Sequence, residues 1–250
     1  MDYKFKTEPY EHQLKALGAS HNKENFAFFM EMGTGKSKVL IDNIAMLHDK
    51  GKINSALIVA PKGVYRNWEK QEIPTHMPEH VDYSVIVWNP NSTSFLKEYA
   101  KFLKNDDKLK IFLINIDAFS TVKGTEIAKR FLVATQCLMA IDESTTVKTP
   151  TAKRTKTICK MRTLAKYRRI LTGSPVTKSP LDLYTQCYFL DPELLGFASY
   201  YTFKNRYAVM ISRSVATHSF KQIIDYQRLD ELEHKLNQFS YRVLKSECLD

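Results

Sequence analysis

The segment MEMGTGKSKVLID, residues 30–42, carries Gly33, Thr34, Gly35, Lys36 and Ser37 in the GxGKS order of a phosphate-binding loop. Glycines at 33 and 35 let the backbone turn its N–H groups inward around phosphate oxygens, an approach that side chains would block. Lys36 then places a cation on the β- and γ-phosphates, and the Ser37 hydroxyl is of the type that ligates Mg²⁺. The helix expected to start near Lys36 points its positive end at the same place. The full consensus opens with a further glycine, and Met30 stands at that position.

A second chemical group closes the apolar run in LMAIDESTTVK, residues 138–148, where Asp142 and Glu143 are adjacent. An acid at such a strand end holds Mg²⁺ directly or through water beside a phosphate-binding loop. Its neighbour is then free to orient, and accept a proton from, the water that attacks the γ-phosphate. Together the two segments predict ATP and Mg²⁺ as ligands.

Both groups need strands to carry them. Short apolar runs at residues 26–29, 56–60, 84–88, 111–115, 137–141 and 169–172 read as strands buried on both faces. Helical spacing and composition fill the intervals at 36–50, 64–73, 94–104, 125–134 and 151–166. The alternation predicts an α/β fold with an open, doubly wound, mainly parallel sheet and ligand chemistry at the carboxyl ends of its strands.

After Pro180 the alternation stops. LDLYTQCYFLDPELLG reads as a helix ended by Asp191-Pro192, followed by the aromatic stretch SYYTFKNRY, a hairpin around residues 212–225, and a helix bearing Leu229, Leu232 and Leu236. Residues 1–190 are therefore expected to form one lobe and residues 191–250 a smaller helical and hairpin appendage. The 250 residues allow one large domain with an appendage and are too few for two full α/β domains.

Hydrophobic residues at 44% and charged residues at 26% are globular values, which excludes disorder as the main state. Four scattered cysteines without a C-x-x-C pair, and histidines without ligand spacing, argue against structural zinc. They predict a reducing, cytoplasmic-type compartment, a reading that leaves the nucleus open. No apolar run approaches the ~18 residues that cross a membrane, and no G-x-S-x-G elbow marks a serine hydrolase.

Lys and Arg number 37 against 27 for Asp and Glu, a net charge of +10 that favours a polyanionic partner. The excess is concentrated between Glu143 and Asp182, where no acid interrupts Lys148, Lys153, Arg154, Lys156, Lys160, Arg162, Lys166, Arg168, Arg169 and Lys178. Such a surface would neutralise phosphates without reading bases.

Taken in order, PYEHQLKAL, MEMGTGKS, LIVAPKGVYRNWEKQ, INIDAF, AIDESTTVK, LTGSPVTKSPLDLYTQCYFL and YRVLKS resemble the successive motifs of the first RecA-like lobe of superfamily 2 helicases and translocases. They are most similar to those of Swi/Snf-type ATPases, which move on duplex DNA. The resemblance runs from about Pro9 to the carboxyl terminus. It implies a RecA-like P-loop NTPase lobe, the DEAD/DEAH-like ATP-binding half of a DNA-dependent ATPase that needs a second RecA-like lobe for efficient hydrolysis.

The resemblance also implies roles. Gln13 would read the adenine edge, and Thr172, Gly173 and Ser174 would couple the nucleotide site to lobe movement. Lys62 and Asn67 would meet the nucleic-acid backbone, with Lys148, Lys153, Arg154 and Lys178 of the acid-free run as further contacts. Trp68 reads as helix packing rather than a stacking platform. In one departure, the acidic motif reads DEST, so Thr145 replaces the residue that often links hydrolysis to the neighbouring motif. The alternatives are an RNA-helicase lobe, a nucleotide- or nucleic-acid-binding module without turnover, and a small-molecule P-loop kinase.

Overall fold

The computed structural model describes residues 3–104, 106–215 and 218–248. In chain order it opens with α1 (Glu11–Ser20), β1 (Asn25–Met30), α2 (Lys36–Asp49) and β2 (Ser55–Ala60). Then α3 (Tyr65–Asn67) runs through a π-helical turn (Trp68–Glu72) into α4 (Ile73–His76). Next come β3 (Tyr83–Val87), α5 (Phe95–Phe102), β4 (Leu109–Asn115), α6 (Val122–Ala134), β5 (Cys137–Asp142), α7 (Lys153–Met161) and β6 (Tyr167–Leu171). The remainder is α8 (Leu183–Leu190), α9 (Tyr200–Tyr207), β7 (Ala208–Val215), β8 (His218–Tyr226), α10 (Leu229–Asn237) and β9 (Ser240–Val243).

Seven strands form one sheet in the order β3-β4-β2-β5-β6-β1-β9, and every pair in it is parallel. The near-continuous apolar runs are what such a sheet requires, since helices cover both faces. Alternate residues of each strand separate accordingly. Ala27, Phe29, Leu57, Val59, Phe112, Ile114, Met139 and Ile141 join one core with side chains of α5–α9. Phe26, Phe28, Met30, Ala56, Ile58, Ile111, Leu113, Leu138 and Ala140 join the other with α1, α2 and the segment from Tyr65 to Met77.

All six expected strands are present. The seventh, β9, was not read: it is four residues long, lies at the sheet edge beside β1, and buries only Val243. The segment expected as an appendage therefore returns a strand to the main sheet. Its hairpin is longer than expected, β7 (Ala208–Val215) pairing antiparallel with β8 (His218–Tyr226), with an irregularity between Val209 and Met210. Leu232 of α10 is buried and Leu236 packs on the core, whereas Leu229 is exposed.

Two further differences have physical causes. The helix expected over 64–73 is widened by the π turn, in which the Ile73 N–H bonds the Trp68 carbonyl five residues back. The acid-free run also loses two of its cations to the interior, because Arg168 and Arg169 are adjacent residues of β6 and both are buried. They bond main-chain carbonyls, Arg168 those of Ala165 and Leu190, Arg169 those of Glu24 and Lys23. Among the described residues no helix is long and apolar enough to cross a membrane. All four cysteines are free, with Cys137 and Cys187 buried.

Candidate active site

Parallel strands end on one edge, so the loops after β1, β2, β5 and β6 converge there. Met30 is the last, fully buried residue of β1, which explains why no glycine is needed at that point. The turn that does need glycine follows, with Gly33 at φ 88° and Gly35 at φ 81°. Gly35 caps α2, whose first turn carries no acid, leaving the helix's positive end facing the loop. Lys36 and Ser37 stand in that first turn, half-buried.

Gln13 lies across this loop. Its Nε2 donates to the Thr34 carbonyl at 3.1 Å, and its Oε1 accepts from the Tyr10 N–H at 3.1 Å. His12 reaches the same carbonyl through Nε2 at 2.8 Å, and the Thr34 hydroxyl bonds the Glu31 carbonyl at 2.8 Å. Gln13 is thus a buried brace between α1 and the loop as well as a candidate reader of adenine.

Asp142 closes β5, paired in register with Leu171 of β6, and is 7% exposed. Burial lifts its carboxyl above the usual carboxylate range. The Trp68 indole, donating to Oδ2 at 3.0 Å, and the Lys36 charge oppose that rise. Glu143 follows in a left-handed conformation, φ 55°, which turns its side chain out of the strand's alternation. Its Oε1 accepts from Thr172 at 2.6 Å and from Thr145 at 2.9 Å.

The loop after β6 touches both the glycine loop and the acidic turn. Thr172 is fully buried and bonds Glu143, while a Cβ on Gly173 would lie 3.2 Å from the Met32 nitrogen, so this strand end sits flush against the phosphate loop. Ser174 is exposed and gives its N–H to the Thr172 hydroxyl at 3.2 Å. Ser144 donates to Gln186 of α8 at 2.6 Å, and Gln186 donates in turn to the Pro175 carbonyl, tying the acidic turn to the same loop.

The expected nucleic-acid residues divide. Lys62, Lys153 and Lys178 are exposed. Lys148 is drawn to Thr177 and Asp182, Arg154 bonds Asp117 at 3.2 Å, and Asn67 gives its amide to Glu72 at 3.1 Å. Three residues of the site were missed. Trp68 was read as packing, and its buried N–H, which needs an acceptor, was the signal. Glu72 accepts the Asn67 amide at 3.1 Å, and burial raises its pKa, with the Asp142 charge adding to the rise and the Lys36 charge opposing it. Gln186 had no sequence signal.

A family profile described as SNF2-related domain matches residues 12–249. The chain is 24% identical over 221 residues to the chromatin remodeling factor mit1 of Schizosaccharomyces pombe, covering 88% of this chain and 14% of that protein. It is 26% identical over 223 residues to the chromatin-remodeling ATPase INO80 of Homo sapiens, covering 87% and 13% respectively. Among solved structures, the Sulfolobus solfataricus SWI2/SNF2 ATPase core in complex with dsDNA superposes with a TM-score of 0.71 at 22% identity, over 97% of this chain and 46% of that one. The chain thus spans under half of that core and about a seventh of the two curated relatives.

Proposed function

The chain belongs to the family of SNF2-related domains, and from that premise we propose that it is the ATP- and Mg²⁺-binding first motor lobe of a Swi/Snf-like DNA translocase. In this reading residues 1–190 form the nucleotide lobe. Residues 191–250 form an appendage that completes the sheet edge and begins the connection to a second lobe. The observation that carries it is the meeting of three strand ends: the glycine turn before Lys36, Asp142 held by Trp68, and Glu143 held by Thr172.

The donor set fits a small hard cation. Ser37 and Asp142 offer oxygen only, and Mg²⁺ is commonly held by one or two protein oxygens together with phosphates. When bound, Mg²⁺ supplies charge neutralisation and polarisation at the β- and γ-phosphates. The chain's own residues do the rest. The glycine turn and the α2 amino terminus bind the phosphates, and Lys36 meets their charge. Thr34 and Gly35 belong to that loop, and Gln13 would read the adenine edge.

Glu143 orients the attacking water and takes its proton. Thr145 and Thr172 both bond Oε1, which assigns the proton to Oε2. The side chains bonded to the carboxylates of Asp142 and Glu143 among the described residues are those of Trp68, Thr145 and Thr172. Transition-state charge would then be met by arginines of a second lobe, without which the rate falls ~10³–10⁵-fold. Duplex DNA would lie along exposed cations such as Lys62, Lys153 and Lys178, bound through phosphates and weakened by salt.

The test compares Lys36→Ala and Glu143→Gln for nucleotide binding and turnover, with duplex DNA, single-stranded DNA and RNA as activators. Binding lost in the first and kept in the second supports the motor reading. Brisk duplex-stimulated hydrolysis by the 250 residues would overturn the need for a second lobe, and preference for RNA would favour the RNA-helicase alternative.

A further inference from the structure

Resting on the nucleotide reading above, we propose that Trp68 is a positioning residue for the cation. Its indole N–H holds Oδ2 of Asp142, leaves Oδ1 to Mg²⁺, and so sets the magnesium dependence of nucleotide binding.

The placement of the indole supplies the first argument. β2 and β5 are neighbours in the sheet, with Val59 opposite Ile141, so the segment that follows β2 emerges beside Asp142. Trp68 is 1% exposed and joins the core that also holds Tyr65, Ile73 and Met77, which fixes its ring. An indole N–H is a donor only, and once buried it needs an acceptor. It finds one in Asp142 Oδ2, at 3.0 Å and 74 positions away. The backbone here departs from a regular helix. Trp68 opens the π turn, the Ile73 N–H bonds its carbonyl, and Asn67 Nδ2 reaches Glu72 Oε1 at 3.1 Å. Turns of this kind are rare and gather at functional sites.

The chemistry supplies the second. An ionised carboxylate accepts through both oxygens, so a bond to one leaves the other available. A directional bond to Oδ2 restricts rotation of the group and with it the direction of Oδ1. The donor is also neutral. A lysine or arginine in its place would pair with the carboxylate and compete with the cation, whereas an indole orients the negative charge without cancelling it. Partners of this outer kind commonly change metal affinity ~10–100-fold when removed. The indole takes no part in holding phosphate, so its effect is confined to binding with the cation present.

The test titrates Mg²⁺ into the 250-residue chain with a fluorescent ATP analogue, alongside a chelator arm, for the wild type, Trp68→Phe, Trp88→Phe and Lys36→Ala. Trp88 is buried as deeply, at 2% exposed, and packs on Phe95, so Trp88→Phe controls for lost packing. For Trp68→Phe the magnesium midpoint should rise about 10-fold or more, while binding under chelator stays within twofold of wild type. Trp88→Phe should keep the wild-type midpoint. A Trp68→Phe midpoint within twofold of wild type, the same rise in Trp88→Phe, or an equal loss with and without magnesium would overturn the assignment. Should Trp68→Phe not fold, the Trp88→Phe chain decides, because Trp68 is then its single tryptophan. Its emission should change as Mg²⁺ is added with unlabelled ATP, at the binding midpoint, and emission indifferent to Mg²⁺ would overturn the assignment. Wild-type binding that is absent, or indifferent to Lys36→Ala, would instead overturn the nucleotide reading and the assignment with it.

Discussion

Gln13 and Gly35 are packed so closely that a Cβ on Gly35 would lie 2.2 Å from Gln13 Nε2. Gly35 is therefore glycine for two reasons, its φ of 81° and the amide lying on it, whereas Gly33 at φ 88° has open space around its Cα. The two substitutions should separate these reasons. Gly33→Ala carries left-handed strain of about 1–2 kcal/mol. Gly35→Ala carries the same strain and also displaces Gln13 from the Thr34 carbonyl, adding about 1 kcal/mol or more. Urea unfolding of both variants checks the order, and equal losses would mean that Gln13 does not brace the loop.

Thr172 and Glu143 give a prediction about turnover. The 2.6 Å bond from the Thr172 hydroxyl fixes one carboxylate oxygen and so aims the other. Thr172→Val keeps the shape of a buried side chain and removes the donor. Turnover per bound nucleotide should fall roughly 10–100-fold, within the range that a positioned acid or base contributes, while nucleotide affinity stays within twofold. Thr145→Val should show a smaller loss, since its 2.9 Å bond is longer and less buried. Single-turnover measurements on nucleotide-saturated protein separate affinity from chemistry. Loss of affinity in Thr172→Val would reassign the residue to folding of the loop.

What was legible in the sequence followed from local pattern. Strands buried on both faces leave continuous apolar runs, and so β1, β2, β4 and β5 were readable at nearly their observed limits. The glycines of the phosphate loop and the acids after β5 are also local, each adjacent to the strand that positions it. What was not legible depends on contacts distant in sequence. Trp68 meets Asp142 across 74 positions, and β9 is a strand only because β1 offers it an edge. Charge counting erred for a related reason: Arg168 and Arg169 look like surface cations until the α1 and α8 ends that use them are in place.

Arg169 carries the clearest stability prediction. Its guanidinium is fully buried and bonds Asn43 Oδ1 and the carbonyls of Ser20, Lys23, Glu24 and Arg168. Apart from Arg168, its neighbour on β6, those acceptors lie on α2, on the end of α1 and on the turn into β1, so one side chain ties the helix bearing Gln13 to the helix bearing Lys36. Burial pulls its pKa below the ordinary arginine value, while hydrogen bonds to the charged form favour keeping it charged. Arg169→Met strands these buried oxygens and should cost roughly 3–5 kcal/mol. Arg169→Lys keeps the charge without the planar fork and should recover less than half. Urea unfolding measures both, and a loss under about 1 kcal/mol in the methionine variant would show that water replaces the guanidinium.

Asp42 sets a pH dependence whose sign can be worked out. It lies fully buried in α2 with its Oδ2 on Lys38 at 2.8 Å, while its Oδ1 has no partner among the described residues. Burial raises its pKa above the ordinary carboxylate value, outweighing the hydrogen bond and charge of Lys38. The folded state therefore holds this proton more tightly than the unfolded chain. The stabilisation is complete below the unfolded pKa and is lost as pH rises through the folded one. Asp42→Asn mimics the protonated form, and Lys38 keeps its bond to the Thr7 carbonyl at 2.8 Å. The variant should match wild type most closely near pH 4, and its relative stability should improve by roughly 1 kcal/mol or more toward neutrality. Unfolding free energies from pH 4 to about 7 test this. A difference that is flat, or that moves the other way, would mean that the Lys38 pair outweighs burial at this site.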